Sequence, residues 1–402
     1  MIKYFILLSI SVLIVFTLNA QEENNIDWYA ATKLKTADGD ADIKFGGRIQ
    51  VQSVIFNQDS ATQAAGNAIS GSQLRRLRFY SSGKVYNKSL DYKLQLEFVG
   101  AAVGVRDAFI TLRNLPVVGN FRVGQMKEAI GYDKIMSSND IAFIERTALN
   151  NLHPQRNVGA SLFNTSKDEN FRWEVGVFQD ATTQGFTNPN NTFNTTGRLT
   201  KVLLYENSED LYRLLHIGVA GSIHNPSGGL YKTTARPETG FGPRYINTGE
   251  ITGVENQTII AGEFALFVNN LNVLAEYTVN SLDVNTSLNG NLNFSAFFVE
   301  AGWFLTNEHM GYVKSKGITE GMNPNKNFST SEPGSGAIQF VARYSSADFN
   351  DVPITGGQMD ILSFGVNWWL NPATRFSINE NLVDLENVGN TNITQLKFQL
   401  LF

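Results

Sequence analysis

The sequence has no cysteine, which removes disulfide scaffolds, thiol nucleophiles and cysteine-ligated metal or iron–sulfur sites at one stroke. Lipoprotein processing, which needs a cysteine at the mature end, goes with them. The four histidines, His153, His216, His224 and His309, are scattered without a short metal-ligand spacing. A metal site or a cofactor is therefore not expected. Only 10 of 402 residues are proline, and no Pro/Ser-rich linker, charge block or change of texture divides the chain. After the first twenty residues no apolar run is long enough to cross a bilayer as a helix. What remains open is a soluble exported protein or a β-barrel, and one continuous pattern runs to the end.

Residues 1–20, MIKYFILLSISVLIVFTLNA, carry one basic residue, Lys3, an apolar run from Tyr4 to Leu18, and then Asn19 and Ala20. The run is shorter than a spanning helix needs and stops at a small residue, which reads as a signal peptide cleaved after Ala20. The expected division is a signal peptide over 1–20, a short periplasmic segment over 21–42 and a membrane unit over 43–402.

The pattern in that unit is alternation over segments of about ten residues, the strand length of a tilted transmembrane barrel. In IKFGGRIQVQSVIF from Ile43, residues Ile49, Val51 and Ile55 share a face while Arg48, Gln50 and Gln52 share the other. Tyr92, Leu94, Leu96 and Phe98 alternate with Lys93, Gln95 and Glu97 in the same way. One face suits lipid and the other water. Sixteen such segments are expected, starting near 43, 73, 89, 104, 120, 157, 171, 196, 211, 257, 271, 292, 336, 359, 373 and 393. The last strand, ITQLKFQLLF, ends the chain on Phe402, and a terminal aromatic resembles the assembly signal of outer-membrane proteins. The predicted fold class is all-β, a transmembrane antiparallel barrel.

Short polar turns such as NKSLD at 87 and NPAT at 371 are expected to face the periplasm, and longer stretches at 57–72, 127–156, 180–195, 224–256 and 281–291 to face outward. Residues 306–335 break this order, being long on the short-turn side. They hold either an unrecognised hairpin or an unusual periplasmic segment. The stretch 127–156 is too long and too apolar to stay unstructured outside. Folded into the barrel, it would set Ile141, Phe143 and Ile144 against the wall and leave Lys127, Glu145 and Arg146 at a constriction. Packed over the rim, it would serve as a lid or an oligomer contact.

Although the formal charge is −5, positions assigned inward are rich in base, among them Arg48, Arg76, Arg78, Arg343 and Lys397. The inward acids Glu97, Asp107, Glu174, Glu263, Glu276 and Glu300 are fewer. Basic side chains in a confined aqueous pore concentrate anions, because low-dielectric walls focus the field. Arginine suits this, since its planar fork donates two hydrogen bonds to a carboxylate or phosphate. In LRRLRF from Leu74, alternation sends Arg75 toward the outer interface and Arg76 and Arg78 inward. Ser137, Ser138, Glu145 and His153 cluster in one loop without any nucleophile motif, so no enzyme is expected.

Several motifs resemble the phosphate-selective porin O and P family. They are the Arg75-Arg76 pair opening a strand, RDAFITL from Arg106, RVGQMKEAIG from Arg122, SSNDIAFIER ending at Arg146, RNVG from Arg156, WFLTNE from Trp303 and VNWWLNPATRF from Val366. The resemblance implies a sixteen-stranded, usually trimeric porin whose inward-folded third loop narrows a pore lined by arginines and lysines. It places Arg75 and Arg76 on that ladder and Lys127 and Arg146 with the loop. Ala129 stands where the family often has proline. The expected function is passive diffusion of small anions, phosphate among them, across the outer membrane of a Gram-negative bacterium. The alternatives are a porin for small polar solutes without anion preference, and a structural or adhesive barrel. The expected partners are the solute, the lipid bilayer and two further copies of the chain, with no nucleic acid.

Overall fold

A computed structural model describes residues 32–36, 41–86, 88–187, 193–208, 211–285 and 290–402. The expected signal peptide and most of the 21–42 segment lie outside the described residues. The principal sheet has 17 strands, of which all but Thr32–Lys35 form a closed antiparallel barrel. In order these are β1 (Asp42–Gln58), β2 (Gly71–Val85), β3 (Leu90–Glu97), β4 (Gly104–Leu115), β5 (Gly119–Lys127), β6 (Arg156–Thr165), β7 (Phe171–Gln179) and β8 (Asn194–Asn207). There follow β9 (Tyr212–His224), β10 (Val254–Val268), β11 (Leu271–Val284), β12 (Gly290–Phe304), β13 (Ala337–Asp351), β14 (Ile354–Asn371), β15 (Thr374–Leu385) and β16 (Gly389–Leu401). Each of the sixteen expected starts falls on one of these strands or one residue before it.

The ring closes where β1 meets β16, from Arg48 opposite Leu401 to Gln58 opposite Thr391. Closure leaves no row of unpaired backbone groups in lipid, which is why a barrel can span at all. Thr32–Lys35 pairs with β1 beyond the end of β16, Lys35 opposite Asp42. At this seam the Gly47 amide donates to the carbonyl of the C-terminal Phe402 at 2.6 Å. A Cβ at Gly47 would collide with the Phe402 ring, so the terminal aromatic needs a residue without a side chain beside it.

Period-two alternation sorts the faces. Val51 and Ile55 are 40% and 53% exposed, while Gln50 and Gln52, on either side of Val51, are 0%. The outward row is thus apolar and the inward row polar. Connections at the end where β1 starts and β16 finishes are short, except 305–336. Those at the other end include 59–70, 128–155 and 225–253.

The inner wall divides into two halves. On β9–β12 the buried inner residues include Leu214, Phe267, Leu274, Phe294 and Phe298. They form one apolar cluster with Tyr132, Met136, Ile141 and Leu149 of the 128–155 connection and with Ile246 and Ile251 of the 225–253 connection. Burying such a side chain is worth about 1.5–3 kcal/mol, so these connections have an apolar reason to pack against the inner wall. Phe143 packs separately on Val341. The 305–336 connection is a small hairpin, Gly311–Val313 against Ile318–Glu320. Its Tyr312 hydroxyl bonds His216 of β9 at 2.6 Å, which resolves the irregularity expected there: the segment is a hairpin directed at the inner wall.

Candidate functional site

The open part of the interior is a cavity of about 940 Å³ lined by β1–β8, the 128–155 and 225–253 connections and the 305–336 hairpin. Among the described residues, none of its lining comes from β9–β16. Guanidinium and ammonium groups outnumber carboxylates there by more than two to one. The lumen is therefore eccentric: a charged channel on one side and a packed core on the other.

Arg48, Arg75, Arg76, Arg78, Lys127 and Arg146 all line this cavity. Arg48 donates to the Ser138 hydroxyl at 2.8 Å. Arg78 bonds Glu97 at 2.6 Å. Lys127 donates to the carbonyls of Lys134, Ile135 and Met136 at 2.7, 3.1 and 3.0 Å, closing the C-terminal end of the short helix Tyr132–Ile135. Arg146 bonds Asp133 at 2.9 Å, and Asn150 donates to the same carboxylate at 2.5 Å, so Asp133 ties the connection to itself.

Arg343 and Lys397 face inward but do not line the cavity. Arg343 pairs with Glu238 and, at 3.4 Å, with Glu300. Its guanidinium lies 4.2 Å from the Phe143 ring centroid, and it donates to the Glu145 carbonyl at 3.3 Å. Lys397 is buried on β16, between Gln395 and Gln399, which donate to the Glu238 and Asn139 carbonyls at 3.1 and 3.4 Å. Loop backbone covers this part of the wall, so both cations lie behind it.

Strict alternation, which alone would send Arg75 outward, fails here for a definite reason. Gln50 pairs with Arg76 but Val51 pairs with Leu74, so Arg75 is the extra residue of a β-bulge. A bulge breaks strict alternation and re-aims a side chain. Arg75 consequently reaches Glu145, Nε to Oε1 at 2.5 Å and NH2 to Oε2 at 3.0 Å, and Arg76 NH2 reaches the same Oε2 at 3.2 Å. Burial alone would raise the Glu145 carboxyl, but Arg76 and Arg75 outweigh it and hold it at about 2.

Among the other lining cations, Lys93 and Arg122 are inward by alternation, whereas Arg106 and Arg156 were not placed there from sequence. Arg106 is the extra residue of a second bulge, since Gln95 pairs with Asp107 and Leu96 with Val105. It approaches Glu97 at 3.7 Å. Arg156 and Lys93 share Asp107 at 2.8 and 2.9 Å. Arg122, inward by alternation, stacks on Phe109 and Phe163, its guanidinium carbon 4.6 Å from each centroid. Such stacking leaves guanidinium edges available to an anion.

Connections from the two ends of the barrel meet at the buried Tyr132 and Thr319. The Tyr132 hydroxyl bonds Thr319 Oγ1 at 2.5 Å and accepts from the Thr319 amide at 3.0 Å. Arg172 donates to Ser315 O at 3.1 Å, and Arg198 to Gly317 O at 2.7 Å, so wall arginines hold the hairpin by its carbonyls.

Comparison with known proteins follows this geometry. Residues 43–402 match the family described as phosphate-selective porin O and P. An uncharacterized protein of Caulobacter vibrioides is 25% identical over 386 residues, covering 91% of this chain and 73% of its own length. Among solved structures, the anion-selective porin from Comamonas acidovorans aligns with TM-score 0.56 at 11% identity, over 90% of this chain and 100% of that one. OmpF of Salmonella typhi, in complex with daunomycin, aligns at 0.55 and 12%, over 92% and 100%. A trimer form of OmpT of Vibrio cholerae aligns at 0.53 and 11%, over 90% and 99%. At these identities the structural likeness is one of fold.

Proposed function

Since this chain belongs to the phosphate-selective porin O and P family and is an outer-membrane porin, we propose that small anions, phosphate among them, diffuse passively through its eccentric lumen. The observation that carries this is the cation-rich lining, whose strand residues, among those described, all come from β1–β8. A permeating anion would pass Arg48, Arg75, Arg76, Arg78 and Arg106 beside the 128–155 connection, which we take to narrow the path. Arg343 and Lys397 would contribute from behind the loop through the field alone. We read residues 1–20 as the leader and the long-loop end as the cell exterior.

Reversal potentials in planar bilayers under a KCl gradient test the proposal. Anion selectivity, with chloride conductance reduced by millimolar phosphate, is the expected result; a cation-selective reversal potential refutes it. A porin without anion preference is the second reading, favoured by the carboxylates that neutralise several arginines, Glu97 on Arg78 and Glu174 on Arg172. It predicts a reversal potential near zero.

For the assembly we propose a homotrimer that uses the outer face of β12–β16. The outward side of these strands is unusually polar. Glu380 sits opposite the lipid-facing Phe364 and accepts from Thr394 at 2.6 Å. Asp360 accepts from Tyr344 and Gln358, each at 3.0 Å. On the far side, β9 and β10 present Val219, Ile223 and Ile260 instead. A carboxylate facing acyl chains costs up to about 2 kcal/mol, which a neighbouring protomer relieves and lipid does not. A groove of about 520 Å³ among Ala301, Gly302, Ala342 and Gly365 lies on the same face and has room for side chains of a second copy.

A further inference from the structure

We propose that Glu145 is a built-in competitor for the anion site of this pore: its carboxylate occupies the Arg75–Arg76 pair, and a permeating oxyanion binds there by displacing it. The inference rests on the porin reading above and adds the residue that sets the site's affinity.

The contact has the form of a bound ligand. Arg75 presents Nε and NH2 to the two carboxylate oxygens at 2.5 and 3.0 Å, and Arg76 adds NH2 to Oε2 at 3.2 Å. This is the bidentate arrangement by which guanidinium groups hold free carboxylates and phosphates. It exists because a bulge turns Arg75 inward beside Arg76. An ordinary strand would offer one arginine at this level, and the pair would not converge.

The opposing carboxylate is tethered by its chain and not by the wall. Glu145 belongs to the 128–155 connection, where its own carbonyl is held by Arg343 at 3.3 Å and the following Arg146 by Asp133. The chain at and after Glu145 is thus anchored while the carboxylate reaches across to β2. Release of that carboxylate breaks contacts to Arg75 and Arg76 without dismantling Asp133, Arg146 and Asn150. All three partners, Arg75, Arg76 and Glu145, line the open cavity, so a solute meets the clasp directly.

The charge count gives the clasp a purpose. Two convergent arginines without a counter-ion would hold a phosphate too well for it to leave, and conduction needs a site that is entered and vacated easily. A tethered carboxylate keeps the pair satisfied between passages and competes with every anion that arrives. Arg48, whose partner is the neutral Ser138 hydroxyl, remains to receive an anion while Glu145 is in place.

Glu145→Gln tests this, because it keeps the length and removes the charge. In planar bilayers the half-blocking concentration of phosphate against chloride current is expected to fall by about tenfold or more, the weight of one charge-assisted contact. Glu145→Gln combined with Arg76→Gln is expected to lose that gain. If Glu145 were only a staple for the loop, Glu145→Gln would raise conductance and leave the block unchanged or weaker, and that result overturns the proposal. Should the variants fail to fold, wild-type protein supplies a second measurement. Saturating phosphate, against chloride at equal ionic strength, is expected to speed amide exchange across 141–149, whereas unchanged or slower exchange overturns it. Folded wild-type barrel without any conductance would instead refute the porin reading.

Discussion

Arg106 repeats in β4 what Arg75 does in β2: each is the extra residue of a bulge, and each lines the cavity beside an inward neighbour, Asp107 or Arg76. The two bulges add two guanidinium groups to a wall whose strict alternation would have sent them outward. Arg106 has only a long contact to Glu97 at 3.7 Å, so its charge is weakly compensated. Arg106→Ala is expected to lower the anion-over-cation permeability ratio by roughly two- to threefold, since it removes one focused charge, and Asp107→Asn to raise it. Reversal potentials of both variants check this; a shift of the same sign in both would refute it.

Asp140 gives the lumen a pH dependence. Burial raises its carboxyl to about 6, against the pull of Arg375 and Arg48, with Glu320 raising it further and Lys316 lowering it. The group is charged above that value and neutral below it. As pH falls from 7 to 5 Asp140 therefore removes one negative charge near Arg48, while Glu128, raised by burial to about 7, and Lys134, lowered by burial to about 7, shift the same cavity in the same sense, and anion preference is expected to rise. Asp140→Asn should show a higher anion preference than wild type at pH 7 and a smaller rise between pH 7 and 5, the part near pH 6 being lost. A step of equal size in the variant would show that another group titrates.

The barrel was legible because period two repeats through every strand and each interruption is a turn. Arg48, Arg76 and Arg78 could be placed by parity alone. Arg75 was placed with Arg76 only through the family resemblance, and Arg106 not at all, because a bulge leaves no mark in hydrophobicity; only the adjacent polar pairs Arg75-Arg76 and Arg106-Asp107, set in otherwise alternating strands, hint at one. Arg343 and Lys397 were assigned to the inner face, where they are, but not behind loop backbone, since parity says nothing about what covers a wall. The unusual length of 305–336 was visible. Its contact with 128–155 was not, because it depends on Tyr132 and Thr319, which lie 187 positions apart.

That contact links connections from opposite ends of the barrel. Tyr132→Phe removes a hydroxyl that both bonds Thr319 Oγ1 and accepts from its amide. The change is expected to cost about 1–3 kcal/mol, because a buried amide loses its acceptor. With the hairpin less firmly held against the loop, single-channel current should become noisier without a change in ion selectivity. Thermal unfolding of the barrel and open-channel noise are the measurements. An unaltered noise spectrum would mean that Arg172 and Arg198 hold the hairpin unaided.

The groove centred on β12–β14 tests the proposed protomer contact against a lipid-facing surface. Ala342 lies on its floor, exposed, between Phe340 and Tyr344. Ala342→Trp fills the groove with a residue that acyl chains accept readily, so an isolated barrel should fold as before. A neighbouring copy seated there has no room for the indole, since overpacking an already filled contact costs about 1–3 kcal/mol per site. The variant is expected to migrate as a folded monomer on unheated gels and to show one third of the wild-type mass in detergent once micelle mass is subtracted. Ile260→Trp, on the apolar far side, is the matched control and should leave the assembly intact. If Ala342→Trp stays oligomeric while Ile260→Trp dissociates, the contact lies on β9 and β10, and the carboxylates of Asp360 and Glu380 face lipid after all.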